Sequence, residues 1–117
     1  MKEDYLGAAG NGFNDWLWQR ASAVILLLTL PFPFILVLCL LGGCLDQAEF
    51  LNLVVHPFAK AAHSLLLFAM LTHAYLGLKL IMEDYVPALA LRLSLLLATL
   101  AVALGAGAWA LAMIWSW

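Results

Sequence analysis

Charge is what this chain has least of. Five Lys and Arg and seven Asp and Glu are spread over 117 residues, so 10% of the chain is charged while 67% is hydrophobic. Soluble globular proteins carry about a quarter charged residues, and a soluble domain of this size has no interior able to hide so much apolar surface. The net charge of −2 speaks against nucleic acid as a partner, because phosphate binding needs a basic face. Cysteine is scarce too. Cys39 and Cys44 are too few for an iron–sulfur cluster, which takes four thiolates. No charged run suggests a charge-lined pore, and no internal repeat is present.

What the chain does have is long uncharged runs. Ala21–Leu45, Ala61–Leu78 and Leu93–Trp117 hold 25, 18 and 25 residues without a formal charge. A helix of roughly 20 residues crosses a hydrocarbon core of about 30 Å. Lys60 and Lys79 can snorkel and lengthen the shorter middle run. Helices satisfy their own backbone groups in lipid, whereas an isolated strand does not. The expected fold is an all-α membrane protein of three transmembrane helices, approximately 18–41, 58–82 and 89–115, in a single domain over 1–117. Pro31 and Pro33 are expected to kink the first helix.

The expected orientation follows the basic residues. Lys2, Arg20, Lys79 and Arg92 belong to the N-terminal tail and the second loop, and only Lys60 to the first loop. This predicts a cytoplasmic N-terminus and a periplasmic C-terminus. Residues 1–15 read as a polar tail on the cytoplasmic face, too acidic for a signal peptide. The lack of a visible mitochondrial transit peptide favours a bacterial inner (cytoplasmic) membrane. Trp16, Trp18, Trp109, Trp115 and Trp117 read as interfacial anchors. Residues 42–57 read as an outward-facing loop, with Phe50 to Val55 lying along the interface. Residues 83–92 read as a short second loop.

Several features are set aside. Leu41-Gly42-Gly43-Cys44 faintly resembles a lipoprotein cleavage box, but cutting there would discard the first helix. Gly105 to Ala110 matches the spacing of a dinucleotide fingerprint, which needs a preceding strand; inside a span it is packing. Ala101/Gly105 and Ala103/Gly107 are small residues four apart, a spacing that lets helices approach closely. Cys39 and Cys44 are five apart, so a continuous helix points them away from each other. A helix break at Gly42-Gly43 would permit a bridge; the plainer reading is two buried apolar thiols.

The chemistry centres on His73, midway along the second span. An ionisable side chain at bilayer depth is expensive and marks a functional site. On a helical wheel Ala69, Met70 and Gly77 flank it, and Ala62, Leu66 and Asp84 fall near the same line. Small residues above and below would clear a flat macrocycle, and haem iron takes a neutral imidazole as axial ligand. The competing reading is a hydrogen bond from His73 to a neighbouring helix. His63 lies about 15 Å away along the axis, too far to share an iron, and reads as polar packing. His56, before Pro57, reads as solvated. A second histidine ligand would therefore come from another chain. Asp84-Tyr85 closes the second span. A phenol there is an interfacial anchor or, beside a carboxylate, a donor to a quinone carbonyl. Arg20 is a positive-inside anchor or a partner for haem propionates.

Two blocks carry a family resemblance: Asn11-Gly12, Asp15 and Arg20-Ala21-Ser22-Ala23, then His73-Ala74, Gly77, Asp84-Tyr85-Val86 and Arg92. In these the chain resembles the hydrophobic membrane-anchor subunit, the D-type cytochrome b subunit, of succinate dehydrogenase (succinate:quinone oxidoreductase, respiratory complex II). The resemblance implies a membrane-anchor domain with three partners: a flavoprotein with FAD, an iron–sulfur subunit, and a second three-helix anchor. It implies haem b between the two anchors, with His73 as this chain's axial ligand to the haem iron. It implies Tyr85 and Asp84 at a ubiquinone or menaquinone, and Arg20 near haem propionate and quinone. No catalytic residue is expected in this chain alone, since succinate would be oxidised at the flavin. Some relatives carry histidine where this chain has Asn14, so a proton relay there is not expected. An anchor of a fumarate reductase, or a non-redox membrane adaptor, are the alternative readings.

Overall fold

The structure, a computed structural model, describes residues 12–117. Among these the regular elements are five helices: α1 (Gly12–Thr29), α2 (Pro31–Leu41), α3 (Gln47–Val55), α4 (Pro57–Tyr85) and α5 (Leu89–Trp115). Three stretches are long and apolar enough to cross a membrane: Gly12–Leu41, Pro57–Tyr85 and Leu89–Trp115. The three-span, all-helical expectation is met.

The bounds differ in instructive ways. The first span starts six residues before the expected position 18, because α1 is already helical at Gly12. Part of the expected polar tail, residues 12–15, is thus helix, and the rest of that tail lies outside the described residues. Asp15 in the first turn suits the positive end of the helix dipole, and Phe13 stacks on Trp16 with ring centroids 6.1 Å apart. The helix is interrupted at Leu30, whose N–H still reaches the Leu26 carbonyl at 2.9 Å. Pro31 and Pro33 bring no N–H, so the ladder loses two bonds just where the sequence predicts a kink.

The expected first loop contains a helix. Asp46 caps α3 by accepting from the Glu49 N–H at 2.8 Å, and Glu49 accepts from the Asp46 N–H at 2.9 Å. These reciprocal bonds nucleate a short helix where composition alone suggests an interfacial strip. His56 is not simply solvated. It is exposed, but its Nδ1 accepts from the Phe58 N–H at 3.2 Å, capping α4 while Pro57 fills the first helical position. The second loop shrinks to residues 86–88, because α4 runs through Asp84-Tyr85 and stops before Pro87.

α4 is the central element, packed against α1 on one side and α5 on the other. Both neighbours run antiparallel to it. Along α1 the contacts descend from Asp15–Lys79 to Ser22–His73. Along α5 they descend from Leu71 beside Gly107 to the Trp115 indole, which donates to Ser64 Oγ at 3.1 Å. The Lys60 ammonium lies 5.8 Å from the Trp115 ring centroid and donates to the Trp117 carbonyl. Among the described residues only Ser22, Leu36, Ala59 and Ala69 are buried; most of the surface is apolar and turned outward.

The two small-residue pairs of α5 have different fates. A Cβ on Gly107 would come within 2.6 Å of Leu71 Cδ1, while one on Gly105 would meet nothing within 4 Å. Gly107 therefore marks the α4–α5 seam and Gly105 the outer face. Gly107→Val is expected to destabilise the fold by about 1–3 kcal/mol, as overpacking does. Gly107→Ala need displace only a leucine tip and should cost less. Thermal denaturation of the detergent-solubilised protein checks this, and equal melting temperatures for all three chains would contradict the seam.

Candidate functional site around His73

Hydroxyls in these spans mostly satisfy themselves. Thr29, Ser64, Ser94 and Thr99 each donate to the carbonyl four residues back, at 2.7–2.9 Å. Ser22 is different. It is buried, donates to the Gln19 carbonyl at 3.0 Å, and lies 3.2 Å from His73 Nδ1. His73 Nδ1 is also 3.3 Å from the Gln19 carbonyl. A carbonyl only accepts, so this pattern assigns the ring proton to Nδ1. Nε2 is then the unprotonated nitrogen with a lone pair to offer, and no hydrogen bond among the described residues occupies it.

Two clefts meet at His73, and both lie between α4 and the α1–α2 span. One, about 530 Å³, is lined by polar residues of α1 and α4, among them Asp15, Gln19, Arg20, Lys79 and Glu83. The other, about 600 Å³, is lined by Leu26, Leu27, Leu30, Pro31 and Phe34. Ala23 and His73 line both. The volumes suit a cofactor-sized ligand. The division suits a group with an apolar body and a charged edge.

Charge is sorted within the polar cleft. Lys79 pairs with Asp15 across the α1–α4 seam and lies 4.0 Å from Glu83 one turn on. Arg20 makes no ion pair among the described residues; its guanidinium lies 5.8 Å from the Trp16 ring centroid. Of the two cations lining this cleft, Arg20 is the one without a carboxylate partner among the described residues. Gln19 Oε1 is buried without a partner among the described residues.

The sequence-predicted residues divide. His73 and Arg20 come together in one cleft. Asp84 and Tyr85 do not join them: both are exposed at the end of α4, Tyr85 to 80%, and neither lines either cleft. Asn14 is likewise exposed outside the lining. Gly77 and Ala69, expected to clear a macrocycle, both adjoin other residues of this chain. A Cβ on Gly77 would meet Gln19 Nε2 at 3.6 Å, and Ala69 is buried. His63 packs as expected, its Nδ1 2.7 Å from the Ala59 carbonyl and its ring 5.7 Å from that of Phe32.

Residues 4–115 match the model of the family described as Succinate dehydrogenase/Fumarate reductase transmembrane subunit. The chain belongs to that family. Two similar members of this anchor family are each named succinate dehydrogenase hydrophobic membrane anchor subunit. The one from Rickettsia bellii is 28% identical over 102 residues, covering 84% of this chain and 77% of its own length. The one from Coxiella burnetii is 31% identical over 84 residues, covering 72% and 71%. The family and the three apolar helices together make this a multi-pass membrane protein.

Gln19 and the Asp15–Lys79 pair are the anchor features that the sequence reading missed. Their signal was available: Asp15, Gln19 and Ser22 are polar at spacings of four and three along one face of an otherwise apolar helix. The Asp15–Lys79 pair generates a prediction. Lys79→Met should destabilise the protein, and adding Asp15→Leu should recover part of the loss, because the lone carboxylate is then removed. The coupling is expected at about 0.5–3 kcal/mol, read from a double-mutant cycle of unfolding in detergent. Strictly additive effects would show that the pair does not hold α1 to α4.

Proposed function

We propose that this chain is the haem- and quinone-associated anchor of a succinate dehydrogenase in a bacterial inner membrane, with its N-terminus cytoplasmic and its C-terminus periplasmic. The observation that carries the reading is the state of His73. Its Nδ1 is committed to α1 through the Gln19 carbonyl and Ser22, which leaves Nε2 as the ligand nitrogen where an apolar and a polar cleft meet. Histidines that bind metals characteristically donate the other ring N–H to a carbonyl or carboxylate, fixing the tautomer and raising basicity.

Haem b fits these residues. The apolar cleft accommodates the body of the macrocycle, and Arg20 meets a propionate. When bound, haem supplies a one-electron redox centre inside the membrane. His73 would hold the iron through Nε2, the one ligand this chain would supply. Among the described residues no second histidine is placed to oppose it, so the other ligand comes from a second three-helix anchor. Much of this chain's exposed apolar surface is then a partner interface as well as a lipid face. The FAD and the iron–sulfur clusters reside in the flavoprotein and iron–sulfur subunits, where succinate is oxidised.

Tyr85 and Asp84 act at the cytoplasmic end of α4. The phenol donates a hydrogen bond to a quinone carbonyl, and the neighbouring carboxylate connects it to water for the protons that reduction consumes. Their exposure in this chain fits a pocket whose remaining walls are supplied by the partner subunits. The names of both relatives favour succinate oxidation over fumarate reduction as the direction.

His73→Ala is expected to abolish the low-spin b-type absorption of the purified complex; an unchanged spectrum would refute the ligand assignment. Tyr85→Phe should lower quinone reductase activity by about 10²-fold, the lower end of a lost acid–base contribution. Dye-linked succinate oxidation should persist in that variant. A parallel fall of both activities would place Tyr85 outside the quinone site.

A further inference from the structure

The C-terminus of α2 builds a Schellman turn whose two facing positions are both cysteine. Gly43, at φ +75°, takes the left-handed conformation that ends the helix. The Cys44 N–H donates to the Cys39 carbonyl at 2.8 Å, and the Gly43 N–H to the Leu40 carbonyl at 3.3 Å. These are the six-to-one and five-to-two bonds of that motif, which brings the side chains of its first and last residues together. In an uninterrupted helix the axial rise alone would separate residues five apart by about 7.5 Å. Here the covalent path through the 2.8 Å hydrogen bond holds the two Cα atoms within about 6.7 Å of each other. Bridged cysteines have Cα atoms about 4.4–6.8 Å apart. The Cys44 side chain already folds back over the helix end, its Sγ 4.0 Å from where a Cβ on Gly42 would stand. Both thiols are free in this structure, Cys44 exposed and Cys39 half-buried. The expectation of two buried thiols is therefore wrong for Cys44.

We propose that Cys39 and Cys44 are a redox pair that closes into an intrachain disulfide capping α2. The proposal rests on the orientation given above, which places this turn on the oxidising, periplasmic side. The oxidant is a protein disulfide met in that compartment. The exposed Cys44 thiolate attacks one of its sulfurs, expelling the other as a thiolate and forming a mixed disulfide. The Cys39 thiolate then attacks Cys44 Sγ and expels the oxidant's second thiolate. This chain loses two electrons and two protons; the oxidant gains both and leaves as a dithiol.

The test uses the intact complex from aerobically grown cells, quenched in acid, denatured, and alkylated with a maleimide before and after reduction. The expected result is no label before reduction and both cysteines labelled after it, with the unreduced chain lighter by two hydrogens. Cys44→Ser should expose Cys39 to label without any reduction. Two free thiols in the wild-type chain would overturn the proposal, and so would a Cys39 that stays blocked in Cys44→Ser. A separate arm tests orientation: reduced spheroplasts are treated with a membrane-impermeant maleimide. Labelling of Cys44 from outside supports the periplasmic placement. Labelling only after lysis refutes the orientation and with it the oxidising compartment the proposal requires.

Discussion

An imidazole inside a bilayer needs a partner for its ring N–H, and in this protein that partner is the backbone of another helix. The Gln19 carbonyl and the Ser22 hydroxyl hold Nδ1 of His73, and two consequences follow from this tether. The tautomer that satisfies both contacts carries its proton on Nδ1 and leaves the Nε2 lone pair uncommitted. The relative position of α1 and α4 is also fixed at the depth where the two clefts meet. Moving α1 by even one residue would withdraw Ser22 from the ring and leave a polar nitrogen facing hydrocarbon, a costly outcome where no water can replace the lost bond.

The rest of the α1–α4 seam supports that contact from the aqueous side. Asp15 and Lys79 pair across it, and Gly77 faces the Gln19 side chain. Among the described residues Lys79 is paired and Arg20 makes no ion pair. Among the described residues the charges of the polar cleft are therefore segregated: Asp15 and Glu83 both lie against Lys79, and Arg20 stands apart from them.

Much of this was legible in the sequence, and the physical reasons are specific. Lipid forces backbone groups to pair within each helix, so runs of 18 to 25 uncharged residues revealed the spans almost directly. Helix ends were harder. α4 begins at the ring-nitrogen cap of His56, and α1 is already helical at Gly12, the first described residue; hydropathy reports neither. α3 was missed because its cause is a reciprocal pair of side-chain bonds between Asp46 and Glu49. His73 stood out because a titratable group in an apolar run is rare. Its anchoring partner did not, since the Gln19 carbonyl is a backbone atom and Ser22 resembles every other membrane serine. Asp84 and Tyr85 were recognisable as a pair, but in this chain both lie exposed at the end of α4, outside either cleft.

No residue of α5 lines either cleft. The third span touches the site only through α4, by way of Gly107, Ser64 and the tryptophans near its end. The chain is thus divided in its obligations: α1, α2 and α4 line the clefts around His73, whereas α5 serves them at one remove, through the seam at Gly107 and the Trp115–Ser64 bond. Among descendants of a common ancestor, the last third should drift fastest, free to exchange one greasy side chain for another while the first two-thirds stay recognisable.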